Sequence, residues 1–119
     1  MPNLVLEYSA NLEIDPERAI AAINAAIAAC GVFDDDDIKT RATKFDDWLV
    51  GSQGRGDGFA HLKFSMGPRD AAIEGALADA AMRAMQETIR TPDGTQAQLC
   101  VEILHVVMPP YRKRMAHGA

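Results

Sequence analysis

Apolar and polar positions alternate from the first residues of the chain. Leu4 and Leu6 fall on one side of an extended segment, Val5 and Glu7 on the other, so Pro2 to Tyr8 reads as a strand. Nearly all its side chains are apolar, as in a central strand covered on both faces. The period changes at Asp15. Asp15 suits a helix N-cap, Pro16 the first helical position, and Glu17 the positive end of the helix. The run to Cys30 is apolar nearly all round, which predicts a well-covered helix stopped by Gly31. Ile38 to Phe45 returns to alternation, with Lys39, Arg41 and Thr43 on one face and Ile38, Thr40 and Ala42 on the other. The glycine-rich stretch from Gly51 to Gly58 is expected to be a hairpin connection to a third strand, Phe59 to Met66. A second helix is expected from about Asp70 to Arg90. Its apolar face is Ala71, Ile73, Ala76, Leu77, Ala80, Ala84, Met85 and Ile89. Pro92-Asp93-Gly94 breaks the chain, Ala97 to Val107 is a fourth strand, and Pro109-Pro110 ends it. The remainder, Tyr111 to Ala119, is a basic tail expected to be mobile in part.

The order strand, helix, strand is thus given twice, over residues of about 2–50 and 57–110. The fold class expected is α/β (α+β): one domain over residues 1–119, with two fused β-α-β units forming a four-stranded mixed sheet and both helices on one face. The opposite face would be bare, and apolar strands there point to a second subunit.

Composition narrows the function classes. Of 119 residues, 48% are hydrophobic and 24% charged, as in an ordinary soluble protein. The net charge is −5 and no basic stripe interleaved with aromatics appears, which argues against nucleic acid as a partner. An anionic ligand would have to be met by a local basic cluster. Cys30 and Cys100 belong to no CxxC pair and no metal spacing, and read as two buried thiols in a reducing compartment. No apolar run approaches the ~18 residues that span a membrane. Met1-Pro2-Asn3-Leu4 carries no signal-peptide pattern, so a cytoplasmic location is expected. The four acids Asp34 to Asp37 lack the spacing of a calcium loop and read as solvated. The glycines of 51–58 match no phosphate-loop register. His61, His105 and His117 share no metal spacing, and the two strand histidines read as structural. No nucleotide motif occurs.

Pro2 is the unusual group. Loss of Met1 would leave it with a free secondary amine. An α-amino group titrates near ~8, more than two units below a lysine. Burial and nearby cations would disfavour its protonated form further. An amine brought to about 7 is half neutral at physiological pH and can both take and return a proton. The ring fixes the direction of its lone pair. A strand that starts at Pro2 would pin it in place.

Pro2-Asn3-Leu4-Val5-Leu6-Glu7-Tyr8-Ser9-Ala10-Asn11 resembles the opening of the 5-carboxymethyl-2-hydroxymuconate isomerases, members of the tautomerase superfamily. That group includes 4-oxalocrotonate tautomerase (4-OT) and macrophage migration inhibitory factor. Shorter agreements follow in order: Gly31-Val32-Phe33, Ile38-Lys39-Thr40-Arg41, Phe45-Asp46-Asp47-Trp48, Phe59-Ala60-His61-Leu62 and Val101-Glu102-Ile103. The resemblance implies a homotrimer with inward-facing sheets, and no metal and no cofactor. It implies Pro2 as catalytic base, and as substrate a small anionic dienol or 2-oxo acid from aromatic catabolism. It also implies substrate-binding cations at Lys39, Arg41 and Arg69. Lys39 stands where the family has an arginine, and a lysine meets a carboxylate as a point charge, without a two-pronged grip. Arg41, on the same face, is then the candidate for the bidentate role. Two other readings remain open at this level: a related tautomerase for another 2-oxo acid, and a non-enzymatic trimeric ligand-binding module.

Overall fold

The computed structural model describes residues 1–118 and contains the two β-α-β units in one sheet. The elements are β1 (Asn3–Ser9), β2 (Glu13–Ile14), α1 (Pro16–Ala29), β3 (Lys39–Phe45), β4 (Gly58–Met66), α2 (Ala71–Thr88), β5 (Ile89–Arg90) and β6 (Ala97–His105). The main sheet has the order β3-β1-β4-β6. β1 and β3 are parallel, β4 and β6 are parallel, and β1 meets β4 antiparallel in the middle.

Period-2 alternation decides which face the helices cover. Leu4, Leu6 and Tyr8 of β1 and Ala60, Leu62, Phe64 and Met66 of β4 point to one side. Ile23 and Ile27 of α1 and Leu77 and Met85 of α2 close over them in one apolar cluster. Each fully buried leucine there contributes roughly 1.5–3 kcal/mol. The Asp15 carboxylate caps α1, accepting from the backbone N–H groups of Glu17 (3.1 Å) and Arg18 (3.4 Å). Gly31, at φ 72°, follows the helix end in the left-handed region that glycine tolerates.

Five expectations are corrected. α1 is not covered all round: Ala19, Ile23 and Ile27 are buried, but Ala25 and Ala29 are exposed, since alanine tolerates water at little cost. α2 ends at Thr88, and Ile89–Arg90 leave it to pair with Glu13–Ile14; Ala71 and Ala76 of its expected apolar face are exposed. The glycine-rich stretch is not a hairpin. β3 and β4 lie on opposite edges of β1, so the connection passes the end of that strand. It is tied down by Trp48 Nε1, which donates to the Asp57 carbonyl at 3.0 Å. Gly58 then enters β4 where a Cβ would lie 2.6 Å from both Ser9 Oγ and Asn11 Oδ1, so only glycine fits. The sheet face away from the helices is charged rather than apolar. The same alternation that sends leucine inward sends Glu7, Lys63, His61 and Glu102 outward, paired as Lys63–Glu7 (3.1 Å) and His61–Glu102 (3.0 Å). Finally, Cys30 and Cys100 are free thiols but half-buried, not buried.

Candidate active site

The start of β1 lies at one corner of the sheet. The Pro2 side chain is fully buried there, and its carbonyl accepts from Lys39 N–H at 3.4 Å. Parallel pairing of Asn3 with Lys39 and of Val5 with Arg41 sets the first residues of β3 beside it. Arg41 is exposed, and its guanidinium reaches back along the strand to donate to Asn3 Oδ1 at 3.4 Å. Pro2, Lys39 and Arg41 are thus brought together by register alone.

The corner has walls that come from elsewhere in the chain. A single 3-10 turn, Asp35–Asp37, precedes β3. The Asp37 carbonyl accepts from Lys39 Nζ, and its carboxylate pairs with Lys113 Nζ. From the same C-terminal segment, the Tyr111 hydroxyl accepts from the Met1 amino group at 3.4 Å. That amino group is held below its ordinary pKa, first by burial and then by the positive charge of Lys39. Lys113 lowers it further, and Asp37 opposes. The hydrogen bond from Lys113 holds the Asp37 carboxyl below its ordinary value, and Asp37 in turn raises the Lys113 ammonium.

Arg69 lies at the same end of the sheet but in a separate arrangement. Its Nη1 donates to the Gly67 and Pro68 carbonyls at 3.2 Å each. Its guanidinium lies 5.7 Å from the centre of the Phe33 ring, a cation–π distance. Phe33 packs on Phe64, the cross-strand partner of Leu4. The Glu74 carboxylate fixes the loop by accepting from Arg69 N–H at 2.8 Å, and it also meets His105 Nε2. Glu74 is held below its ordinary pKa, first by that backbone N–H and then by His105. No described contact joins Arg69 to Pro2, Lys39 or Arg41.

A model of the 5-carboxymethyl-2-hydroxymuconate isomerases matches residues 2–110. The chain belongs to that family. It is accordingly an isomerase of the tautomerase fold. Two solved structures of 5-carboxymethyl-2-hydroxymuconate isomerases resemble it. One, from Deinococcus radiodurans R1, is 21% identical with a TM-score of 0.77, over 95% of this chain and 88% of the other. A second, described as a delta-isomerase, is 19% identical with a TM-score of 0.78, over 98% and 89%. A fused 4-OT described as a symmetric trimer is 12% identical with a TM-score of 0.59, over 87% and 85%. At these identities the structures support the fold alone. A search of curated proteins returned no match.

For a member of this isomerase family, three clefts of the single chain lie in unexpected places. They run beside Ile89 and Arg90, between α1 and α2 along Ala26 and Ala84, and under Trp48. None of the three is lined by Pro2, Lys39, Arg41 or Arg69. Among the described residues, no three His, Cys, Asp or Glu side chains gather as metal ligands, and no helix is long and apolar enough to cross a membrane. Three residues of the corner escape a reading by sequence pattern: Asp37, Tyr111 and Lys113. Asp37 hides in a run of acids, and the other two in a basic tail. The one available signal is that Asp37 stands two residues before Lys39.

Proposed function

We propose that the chain, once Met1 is removed, is a cofactor-independent isomerase that moves a proton on a small unsaturated 2-hydroxy or 2-oxo polycarboxylic acid such as 5-carboxymethyl-2-hydroxymuconate. Pro2 is the base. The observation that carries the reading is the corner itself: a terminal amine at this place is lowered by burial and by Lys39, and Pro2 lies deeper than Met1. Loss of Met1 moves the amine one residue inward without removing either cause.

The neutral Pro2 nitrogen takes the proton of the substrate's 2-hydroxyl group. The O–H electron pair becomes the C=O π bond, the diene electrons shift along the chain, and the protonated Pro2 returns its proton to a distant carbon. Lys39 and Arg41 hold carboxylate and favour negative charge building on the 2-oxygen. Arg69 serves the far end of the acid. It would do so by exchanging its bonds to the Gly67 and Pro68 carbonyls for substrate oxygens. Amide Pro2, with Met1 attached, has no lone pair for this step.

The 119 residues act as one unit, with halves of about 2–50 and 57–110. A homotrimer is the assembly we favour, supported by the trimeric 4-OT neighbour and by the sheet face that the helices leave open. Our reading assigns the chain to aromatic catabolism, in the cytoplasm. The test is to confirm Met1 loss by mass spectrometry and to follow dienol ketonisation by ultraviolet absorbance. Pro2→Ala is expected to lower kcat/KM by at least tenfold, with a residue of rate left by its own terminal amine. Full activity in Pro2→Ala would remove Pro2 from the mechanism.

A further inference from the structure

The C-terminal segment adds a cation, Lys113, to the corner. Lys39 Nζ and Lys113 Nζ both come to Asp37, one on its carbonyl and one on its carboxylate. Two ammonium groups therefore converge on one small region, and both contact Asp37. Their segments are far apart in sequence, 76 residues between Asp37 and Lys113. Lys39 reaches Asp37 locally, two residues along the chain, whereas Lys113 is brought there by the fold. Tyr111, two residues before Lys113, touches the terminal amino group, so the same segment passes directly over the chain start.

We infer that Lys113 is a substrate-binding residue that works with Lys39 as a two-ammonium clamp on one substrate carboxylate, with Asp37 holding both in place when the site is empty. The inference rests on the function proposed above. A carboxylate offers two oxygens, and the strongest grip uses two parallel donors. A single lysine is a point charge and cannot supply them, whereas one arginine can. Lys39 alone is therefore a weak holder. Lys113 supplies the second donor from outside residues 2–110, the span that the family model matches. It is a feature of this chain's own tail. Asp37 keeps the two ammoniums from drifting apart when no ligand is bound.

The test uses the full chain with Met1 removed, and 5-carboxymethyl-2-hydroxymuconate as substrate. Lys113→Ala is expected to raise KM about tenfold, in line with the loss of one charged hydrogen bond at an exposed site, with kcat changed less than threefold. Adding Lys39→Arg to Lys113→Ala is expected to recover most of that loss, because the arginine fork restores two donors at one residue. A tail that merely ties down the fold would give no such recovery. The inference is overturned if Lys113→Ala leaves KM within twofold of the parent, if the loss falls on kcat, or if Lys39→Arg fails to recover KM. The thermal midpoint of each variant is read alongside, and a fall in it together with unrecovered KM also counts against the clamp. A parent chain that turns over no dienol acid overturns the proposed function and this inference together. A parent that is active, with Lys113→Ala unimpaired, overturns the inference alone.

Discussion

The two halves of the molecule share a topology and differ at their first residue. In the first, β1-α1-β3 begins at Pro2, which the loss of one residue turns into an amine. In the second, β4-α2-β6 begins at Gly58, inside the polypeptide, where the backbone N–H donates to the Gln96 carbonyl at 2.9 Å. Setting Pro2 against Gly58 puts Gln98 in the place of Lys39 and Cys100 in the place of Arg41. The second half thus repeats the scaffold without a cation at either of those two places. Two β-α-β units suffice to build the sheet and its core. The proposed proton-transfer site needs in addition an amine held below its ordinary pKa and cations beside it, and among the described residues the end of the sheet that carries the chain start has both.

The sharpest way to break this comparison is to make the first half resemble the second at its start. A chain whose terminus is extended so that Pro2 stays in an amide is expected to lose activity by roughly 10²–10⁴-fold, the usual contribution of a positioned base. Its thermal midpoint should barely move, since the core of Leu4, Leu6, Leu62 and Phe64 is untouched. Dienol turnover measured on extended and processed chains at equal concentration checks this. Equal rates would mean that Pro2 is a structural residue like Gly58.

A smaller effect is expected one step away, on the cations. Arg41→Ala removes a guanidinium that reaches toward Asn3, and kcat/KM should fall by about tenfold to a hundredfold, the cost of one or two charged hydrogen bonds. Cys100→Ala, at the matching place in the second half, should leave kcat/KM within twofold. Steady-state kinetics of the pair tests the asymmetry directly. A comparable loss from both variants would mean that both ends of the sheet take part.

The same contrast explains what was legible in the sequence. Elements, their order and their inward faces follow from local periodicity: Leu4 and Leu6 alternate, and Ile23 and Ile27 recur at helical spacing, whatever the rest of the chain does. Strand neighbours do not follow from it. Gly51 to Gly58 has the composition of a hairpin, yet β1 takes both neighbouring edges, and that competition is decided by long-range burial. Pro2, Lys39 and Arg41 were readable because they lie within two short segments that one parallel pairing joins. Asp37 and Lys113 were not, since an acid in a run of acids and a lysine in a basic tail look like solvated charges until the fold joins them. His105 and Glu74 are likewise joined only in three dimensions, 31 residues apart.

The mildest expected effect is a matter of pH, and it separates the amine from the ion pair beside it. The fold lowers the Met1 amine through burial and Lys39, and a Pro2 amine set beside the same two causes is expected to keep its neutral, basic form to lower pH than in a free peptide. The acid limb of kcat/KM should therefore have its midpoint below the ordinary α-amino value of about 8. Lys39→Met removes the second-largest cause and should move that midpoint upward, towards the free-peptide value, while burial holds it from returning fully. Asp37 and Lys113 shift in opposite directions. Asp37 is lowered, so what its pair contributes to stability is complete above the unfolded carboxylate value and is lost as pH falls through the lower folded one. Lys113 is raised, so its contribution is complete below the unfolded lysine value and is lost as pH rises through the higher folded one. Between the carboxylate and lysine ranges the pair does not titrate at all. The amine does, and its lowered value disfavours the protonated folded state, so stability rises with pH from the folded amine value to the unfolded one. The acid limb of a pH–rate profile over pH 6 to 9 should thus report that amine. A second titration in that window, present in both the parent and Lys39→Met, would assign the limb to something other than the terminal amine, and the two ends of the sheet would differ for another reason.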